Sequence, residues 1–319
     1  MDKFRSWLAP LIKSYVEFKR SLGYKFQHLH YFRDFDWFLY EHSYDSSRLT
    51  DEILNKWCER RPSESDVARY KRIDHIRNLC IYLNGIGYQS AVPRLPRQCR
   101  STFKPYILTE EELRYFFEAC DNMEYNANYQ SLYHVYPALF RLLYGCGLRI
   151  SEALSLKCDD VNLVDGYIVI HETKNGEDRK LPMSQSLTNV LKQYYDCCRS
   201  NADRQDYFFA KRNGTKCSSD TIYKKFREIL YRAKISHGGK GFGPRVHDFR
   251  HLFSVHSLAK MADQGLDLYY CLPLLSKYLG HKSLAVTDQY VRLTADMYPK
   301  LINDMNKICA FVFPEVKLP

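Results

Sequence analysis

Apolar residues recur at helical spacing through the first third of the chain. From residue 4 to residue 42 they alternate with charged positions at intervals of three and four, which predicts two helices with a break at residues 21–24. Thr50 is placed to cap a short third helix, and a longer fourth helix is predicted over residues 64–84. Residues 1–92 are therefore predicted to form a helical domain.

This helical periodicity stops at a short basic segment. Residues 93–105 contain three prolines and no apolar repeat, and their cationic side chains are Arg94, Arg97, Arg100 and Lys104. Such a composition is typical of a linker between domains. Thr109 and Glu112 have the spacing of a capping box, so a new helix and a second domain, residues 106–298, are predicted to begin beyond the linker.

The second domain is predicted to combine helices with one small sheet. A mostly apolar run at residues 132–144 predicts a buried helix. Residues 167–171 have strand character, Asn175-Gly176 is a strong hairpin signal, and residues 180–183 would form the return strand. Amphipathic patterns predict further helices at residues 186–199, 219–234 and 299–312, the last within a C-terminal segment of residues 299–319. The expected fold class is mainly α with a small β-sheet.

The composition favours a polyanionic partner and argues against several classes of protein. The net charge is +10, and residues 1–104 account for +7, with 19 Lys and Arg against 12 Asp and Glu. No apolar run approaches the roughly 18–20 residues of a membrane helix, and the N-terminus lacks the pattern of a signal peptide. The 11 cysteines lack Cys-x-x-Cys spacing, which predicts reduced thiols in a cytosol and no metal site.

The fourth predicted helix carries basic residues away from its apolar face. They are Arg69, Lys71, Arg72 and Arg77, and together with the linker cations they are the candidates for contact with the phosphates of a polyanionic partner. A solvated basic surface would give the same charge pattern, so the charge alone leaves both interpretations open.

A glycine-rich turn follows the buried helix and leads into Arg149. An arginine at the start of a short helix adds its guanidinium to the backbone N–H groups there, which makes a good anion site. Glu152, one turn later, is placed to hold that guanidinium. The alternative is a surface Arg–Glu pair, which has the same spacing.

The most informative stretch runs from His247 to Tyr290. It begins with His-Asp-Phe-Arg, ending at Arg250, continues as an apolar helix and reaches Leu-Gly-His at His281. Each piece alone is weak, because His-x-x-Arg occurs twice in the chain and the chain contains 26 tyrosines. Lys174 stands beside the predicted hairpin turn, where a lysine is usually just solvated.

Taken in order, these residues closely resemble the catalytic series of the tyrosine recombinase (phage integrase-like) family. The series is Arg149, Lys174, His247, Arg250, His281 and Tyr290. The resemblance implies a helical core-binding domain and a mixed α/β catalytic domain that form a clamp on duplex DNA. It implies that the arginines bind phosphate, that His247 accepts or positions the proton of Tyr290, that Lys174 protonates the leaving 5′ oxygen, and that His281 donates a hydrogen bond to the phosphate.

These residue types suit attack on a phosphodiester without metal, ATP or another cofactor. Arginines offset charge on the phosphate oxygens, and a tyrosine of pKa ~10 must lose its proton as it attacks. Loss of either arginine is expected to slow the reaction at least ~100-fold. The predicted activity is site-specific DNA recombination through a 3′-phosphotyrosyl intermediate. The alternatives are type IB topoisomerase-like relaxation and a catalytically silent DNA-binding accessory homologue.

The resemblance also implies the partners. They are duplex DNA with specific recombination sites, further copies of the chain in a homotetramer on paired sites, and accessory recombinases in some systems. The helix at residues 299–312 would dock into a neighbouring subunit or, alternatively, onto its own domain. The short N-terminal region leaves no room for an arm-binding domain, which favours a recombinase of a mobile element or of chromosome-dimer resolution in the bacterial cytoplasm, at the nucleoid.

Overall fold

The computed structural model of the chain divides it into two compact units, residues 1–103 and 104–319. It describes residues 4–24, 26, 29–44, 48–97, 104–123, 133–171, 178–211, 213–239, 242–281, 287, 290, 293 and 294. The boundary between the units falls within the basic segment 93–105. Three of the sequence-based expectations lie outside the described residues: the hairpin turn with Lys174, the position of Arg100, and the helix at residues 299–312.

The N-terminal unit is helical in its described part. Its helices are α1 (Ala9–Ser21), α2 (Leu29–Glu41), α3 (Asp51–Cys58) and α4 (Asp66–Gly85). Thr50 caps α3 as predicted, whereas α4 is capped by Ser65 and begins two residues later than predicted. The helices enclose an apolar core whose fully buried members include Leu8, Ile12, Phe32, Phe35, Leu79 and Leu83.

The second unit combines helices with one three-stranded antiparallel sheet. Its described helices are α5 (Glu110–Asp121), α6 (Val135–Cys146), α7 (Ile150–Ser155), α8 (Gln185–Cys198), α9 (Ser219–Arg232), α10 (Asp248–Asp263) and α11 (Leu268–Leu279). The sheet has the order β1 (Val161–Asn162), β2 (Tyr167–Ile170) and β3 (Arg179–Pro182). The predicted fold class, mainly α with a small β-sheet, is confirmed. None of the described helices is both long and apolar enough to cross a membrane.

Helix α6 lies at the centre of the second unit. It packs against α5, α7, α8 and α10, and most of its residues are buried, as its nearly all-apolar sequence predicts. Phe140 of α6 packs with one phenylalanine each from α5, α9 and α10, and all ring centroids in this cluster are 5.3–5.9 Å apart: Phe116, Phe140, Phe226 and Phe249. This cluster packs the start of α10 against the middle of α6, and the candidate site forms beyond the C-terminal end of α6.

Two local predictions in this unit are also confirmed. The hydroxyl of Thr109 accepts from the backbone N–H of Glu112 at 3.1 Å, and the Glu112 carboxylate accepts from the N–H of Thr109 at 2.9 Å. Strands β2 and β3 pair antiparallel, with Ile170 opposite Arg179. That register places Arg179 at the end of β3 nearest to the segment of residues 172–177.

Candidate active site

Arg149 is positioned by the glycine turn that ends α6. Gly147 has φ of 58°, and a Cβ added there would lie 2.5 Å from Cδ1 of Phe253, so both the backbone conformation and the space require glycine. Arg149 then occupies the N-cap position of α7. Its N–H donates to Oε2 of Glu152 at 2.9 Å and its Nη1 donates to Oε1 at 2.7 Å. The guanidinium is thus held by the carboxylate and remains 25% exposed.

Arg250, on the first turn of α10, is almost completely buried. Its Nη1 donates to the carbonyl of Gly147 at 2.8 Å, and its Nη2 donates to the carbonyl of Leu279 at 2.5 Å. These bonds tie α10 to the ends of α6 and α11 and account for two of the five N–H groups of the guanidinium. Burial and the charge of Arg149 lower the pKa of Arg250 to about 10, which leaves it cationic at neutral pH.

The Glu152 carboxylate stands among three arginines. Besides Arg149, Arg179 of β3 donates to it at 2.8 Å and 3.3 Å, and Nη1 of Arg250 lies 3.9 Å from Oε2. Burial raises the pKa of Glu152, but the hydrogen bonds and charge of Arg179 and the hydrogen bonds of Arg149 outweigh it, and the pKa is below its ordinary value. One anion therefore faces three cations, an excess of about two positive charges.

Three histidines line the same region: His247 before α10, His251 within it, and His281 after α11. Burial, followed by the charge of Arg250, lowers the pKa of His247. Burial and His247 lower the pKa of His251 to about 3, and burial and Arg250 lower the pKa of His281 to about 4. All three are therefore neutral at pH 7, and each keeps one ring nitrogen able to accept a proton.

Tyr290 lies in this pocket of its own chain, with 1% of the residue exposed. Its ring is 6.1 Å from the ring of His281 and nearly parallel to it, and 5.5 Å from the ring of His251. The Oγ1 of Thr287 lies 2.9 Å from Nδ1 of His281, and the hydroxyl of Thr294 donates to the carbonyl of Tyr290 at 2.8 Å. A phenol, neutral imidazoles and fixed guanidiniums are thus assembled in one place.

The structure brings together five of the six residues singled out from the sequence. Arg149, His247, Arg250, His281 and Tyr290 meet where α6, α10 and α11 approach each other, and Lys174 lies outside the described residues. The arrangement suits a phosphate group, because fixed N–H donors and uncompensated positive charge stabilise an anion in a site of low dielectric. Within the described ranges, no group of three or more His, Cys, Asp or Glu side chains is arranged to hold a metal ion.

Two residues of this site were missed in the sequence. His251 directly follows Arg250, and its place beside the His-x-x-Arg motif is the signal that identifies it. Arg179 lies one residue before the predicted return strand at residues 180–183, and in the structure it is the first residue of β3. Its pairing with Glu152 depends on how the sheet packs against α7, which no short-range pattern reveals.

The candidate DNA-binding residues fall into different environments. Arg72 is buried, with 2% exposed, and its guanidinium is bound by Glu64 and by backbone carbonyls. Its assignment to a basic surface is therefore wrong, because α4 turns this position toward Trp57 and away from solvent. Arg69 and Arg77 are half-buried and donate to the carbonyls of Cys58 and Pro93, while four cations are exposed: Lys71, Arg94, Arg97 and Lys104.

Comparison with known proteins gives matches along most of the chain. The profile of the phage integrase family matches residues 107–297. A putative integrase/recombinase of Sinorhizobium fredii, y4rB, is 28% identical over 295 residues, which cover 90% of this chain and 93% of that protein. The tyrosine recombinase XerA of Pyrococcus furiosus is 29% identical over 217 residues, covering 67% of this chain and 65% of XerA.

Solved structures with the same fold are also found. A crystal structure of a lambda integrase dimer bound to a COC′ core site aligns with a TM-score of 0.61 at 17% identity, over 88% of this chain and 96% of that chain. The XerH recombinase bound to its difH substrate aligns with a TM-score of 0.58 at 23% identity, over 75% of this chain and 65% of that chain. At these identities the likeness concerns the fold.

Proposed function

The chain belongs to the phage integrase family and is a DNA-breaking and rejoining enzyme of the tyrosine recombinase class, and we propose that it recombines specific DNA sites through a covalent bond at Tyr290. The observation that carries the proposal is the position of Tyr290, which is buried beside His281 in the pocket that holds Arg149 and Arg250. Relatives named as recombinases favour this function over topoisomerase-like relaxation and over a catalytically silent accessory protein.

The scissile phosphate would bind against the two arginines. The Arg149 side chain is 25% exposed, and Arg250 is fixed by the carbonyls of Gly147 and Leu279. Their positions are set before DNA arrives, so little reorganisation is needed as negative charge grows on the phosphate oxygens. His281 would add a hydrogen bond to the same phosphate.

The phenol oxygen of Tyr290 would attack the phosphorus while the bond from phosphorus to the 5′ oxygen breaks. His247 is our candidate for receiving or positioning the phenolic proton, since its lowered pKa keeps it neutral.

Lys174 would deliver a proton to the leaving 5′ oxygen. If so, Lys174→Ala should be rescued by a 5′-thio substrate, and equal defects on both substrates would leave Lys174 only an electrostatic or positioning role.

The product of this step would be a 3′-phosphotyrosyl bond. It keeps the energy of the original phosphodiester, so a 5′-hydroxyl from another strand can attack it and release Tyr290. Rejoining in this scheme requires neither ATP nor a cofactor. Since Tyr290 packs against groups of its own chain, we propose that each subunit cuts with its own tyrosine.

We assign DNA binding to both units. Residues 1–92 would act as the core-binding domain, the segment 93–105 as a basic linker along the phosphates, and residues 106–298 as the catalytic domain. The exposed cations Lys71, Arg94, Arg97 and Lys104 support this, and Arg69, Arg77 and Arg100 remain candidates for further contacts. Removal of residues 1–104 should then weaken duplex affinity and flatten its dependence on salt.

We further propose a homotetramer on paired sites, with the helix predicted at residues 299–312 docked into a neighbouring subunit. Truncation after Thr294 should spare binding to a single site and abolish synapsis. A truncated protein that recombines normally would contradict this. Mobile-element DNA in the bacterial cytoplasm is our proposed setting, and accessory recombinases are proposed partners.

The decisive experiment uses a suicide substrate, a nicked duplex that traps the covalent complex. The wild-type protein should give an adduct that survives denaturing electrophoresis, and Tyr290→Phe should bind the same DNA with similar affinity but give none. Tyr298→Phe is the matched control and should behave like the wild type. An adduct that persists in Tyr290→Phe would place the nucleophile elsewhere, with Tyr298 the first suspect.

A further inference from the structure

We propose that Arg179 is a positioning residue of this site, which holds Glu152 in place so that the carboxylate can orient Arg149 beside Arg250. The proposal rests on the function proposed above. It adds a third arginine, from the β-sheet, to the two recognised in the sequence.

The hydrogen bonds at Glu152 carry the proposal. Oε1 accepts from Nη1 of Arg149 at 2.7 Å and from Nη1 of Arg179 at 3.3 Å. Oε2 accepts from the N–H of Arg149 at 2.9 Å and from Nη2 of Arg179 at 2.8 Å. Each oxygen therefore receives one bond from each arginine, which fills the acceptor capacity of the carboxylate. Arg179 grips it with the two-pronged geometry that fixes a planar group most firmly.

The Arg179–Glu152 pair is buried, so solvent cannot replace Arg179 as the partner of the carboxylate. The side chains of Arg179 and Glu152 are 10% and 8% exposed. Without Arg179, the Glu152 side chain would keep only its contacts within the first turn of α7 and the more distant Arg250. It could then rotate away from the geometry that presents the Arg149 guanidinium.

Arg179 also contacts the turn at Gly280 that precedes His281. A Cβ added to Gly280 would lie 3.0 Å from Nη1 of Arg179, so the guanidinium packs directly against the turn that ends α11. Gly280 has φ of 68°, and His281 follows it immediately. Arg179 is thus packed between the turn before His281 and the carboxylate that holds Arg149.

The charges around Glu152 indicate that Arg179 has a role beyond stabilising the fold. A third buried cation near Arg149 and Arg250 is repelled by both, and its charge helps to lower the pKa of Arg250 and of His281. A purely structural pair would need only one guanidinium for Glu152. The excess charge becomes favourable when a phosphate enters the pocket.

The test compares two substitutions of Arg179 with a matched control. Arg179→Met removes the charge and the fork, and Arg179→Lys keeps the charge alone. Arg141→Met is the control, because Arg141 makes a two-pronged pair of similar geometry with Asp121 on the same unit, at 2.8 Å and 2.6 Å. None of the hydrogen bonds or ion pairs described for Arg141 involves Arg149, Glu152, Arg179 or Arg250. The rate of adduct formation is measured in a single turnover on a suicide substrate at saturating DNA.

We expect Arg179→Met to form the adduct about 10- to 100-fold more slowly, an effect of the size found when the hydrogen-bond partners that orient the ligands of a metal site are removed. Arg179→Lys should recover part of that loss, and Arg141→Met should match the wild type. DNA affinity should be nearly unchanged in all three variants. Arg179→Met combined with Glu152→Gln should be no slower than Glu152→Gln alone, because both changes break one unit.

A pH profile separates positioning from a general structural role. In the described part of the chain, the charged groups facing Glu152 are Arg149 from the start of α7, Arg179 from β3 and Arg250 from α10. Arg179 lowers the pKa of Glu152 and burial raises it, so loss of Arg179 raises the pKa of this carboxyl. Once protonated, Glu152 no longer holds Arg149 as an ion pair. The acid limb of the cleavage rate should therefore move to higher pH in Arg179→Met and stay in place in Arg141→Met.

The outcomes separate this inference from the proposed function. If the wild type forms no adduct at all, the proposed function fails, whatever Arg179 does. If the wild type forms it and both Arg179 variants match the wild-type rate, only the inference is overturned. A slow variant with an unshifted acid limb and an additive double mutant would also overturn it. Should Arg179→Met fail to fold by circular dichroism, Arg179→Lys and its pH profile decide the matter.

Discussion

The two units each bury an arginine against a glutamate, and the two arrangements differ in charge balance. In the N-terminal unit, Arg72 pairs with Glu64 through Nε at 2.7 Å and Nη2 at 2.8 Å. Its other donors reach the carbonyls of Trp57 and Glu59. Arg61 and Asp34 add one charge of each sign beside this pair, so cations and anions balance there. The Arg72 guanidinium also lies 5.0 Å from the ring of Trp57.

In the catalytic unit, Arg149, Arg179 and Arg250 share the single carboxylate of Glu152. A buried charge destabilises a protein unless an opposite charge compensates it, so an excess of buried cations indicates that an anion binds there. A bound phosphate would provide this compensation. Burial alone thus says little about the role of an arginine, whereas the ratio of cations to anions around it separates the structural pair from the candidate site.

Loss of the balanced pair should have the largest effect on stability. Arg72→Met leaves Glu64 as an uncompensated buried charge and should lower the free energy of unfolding of the N-terminal unit by about 3–5 kcal/mol. All three tryptophans, Trp7, Trp37 and Trp57, lie in this unit, so urea unfolding followed by tryptophan fluorescence reports on it selectively. An unchanged midpoint would show that the pair contributes nothing.

The neighbouring Lys71 supplies the control for that experiment. It is exposed, so Lys71→Met should change the unfolding free energy by no more than about 0.5 kcal/mol. Its predicted effect is on DNA, where loss of a phosphate contact would weaken binding and reduce the salt dependence.

Loss of Arg149 from the arginine cluster around Glu152 should reduce activity strongly and stability little, the reverse of the effect expected for Arg72. Arg149→Met should slow adduct formation at least about 100-fold, because a fixed donor to the phosphate disappears. The catalytic unit should lose little stability, since Glu152 keeps Arg179 as its partner. The measurement pairs a suicide-substrate assay with thermal unfolding by circular dichroism. A destabilised Arg149→Met that cleaves normally once folded would make Arg149 a structural residue like Arg72.

The pH dependence of stability offers a smaller, independent effect. The pKa of His251 falls to about 3 and that of His281 to about 4 on folding, from about 6.5 in an unfolded chain. Between these values the unfolded state binds more protons, so stability is lost as pH falls from about 6.5 toward 4. His251→Asn should reduce this loss between pH 7 and 5 by about 1–2 kcal/mol. An identical pH slope in urea unfolding would contradict the burial of a neutral imidazole.

Much of the fold and most of the residues of the candidate site could be predicted from the sequence. The fold class, the capping box at Thr109 and the helices that carry Arg149 and Arg250 follow from periodicity and capping, which act over a few residues. The ordered series of polar residues then marked the site by its resemblance to a family. These signals are local or are fixed by chain order, and so they can be recognised without a structure.

What the sequence did not supply depends on contacts between distant segments. Arg72 looks like any basic residue on α4, and only its packing under Trp57 and Glu64 makes it structural. Arg179 lies 27 residues from Glu152, and their pairing requires the sheet to be packed against α7. Charge balance around a buried group is a property of tertiary structure, so neither role could be assigned from spacing.

The smallest predicted effect is also the most direct probe of the excess charge. If the arginine cluster is built for a phosphate, sulfate should bind it weakly in the absence of DNA and raise the free energy of unfolding of the catalytic unit by about 1 kcal/mol at a concentration several times its Kd. Sulfate also stabilises proteins in general, so the tryptophan-reported transition of the N-terminal unit and sodium chloride at equal ionic strength are the references. Arg149→Met should lose the specific part of the gain. Equal stabilisation of both units by sulfate, retained in Arg149→Met, would mean that the cluster does not bind a free anion and that its charge is offset within the protein.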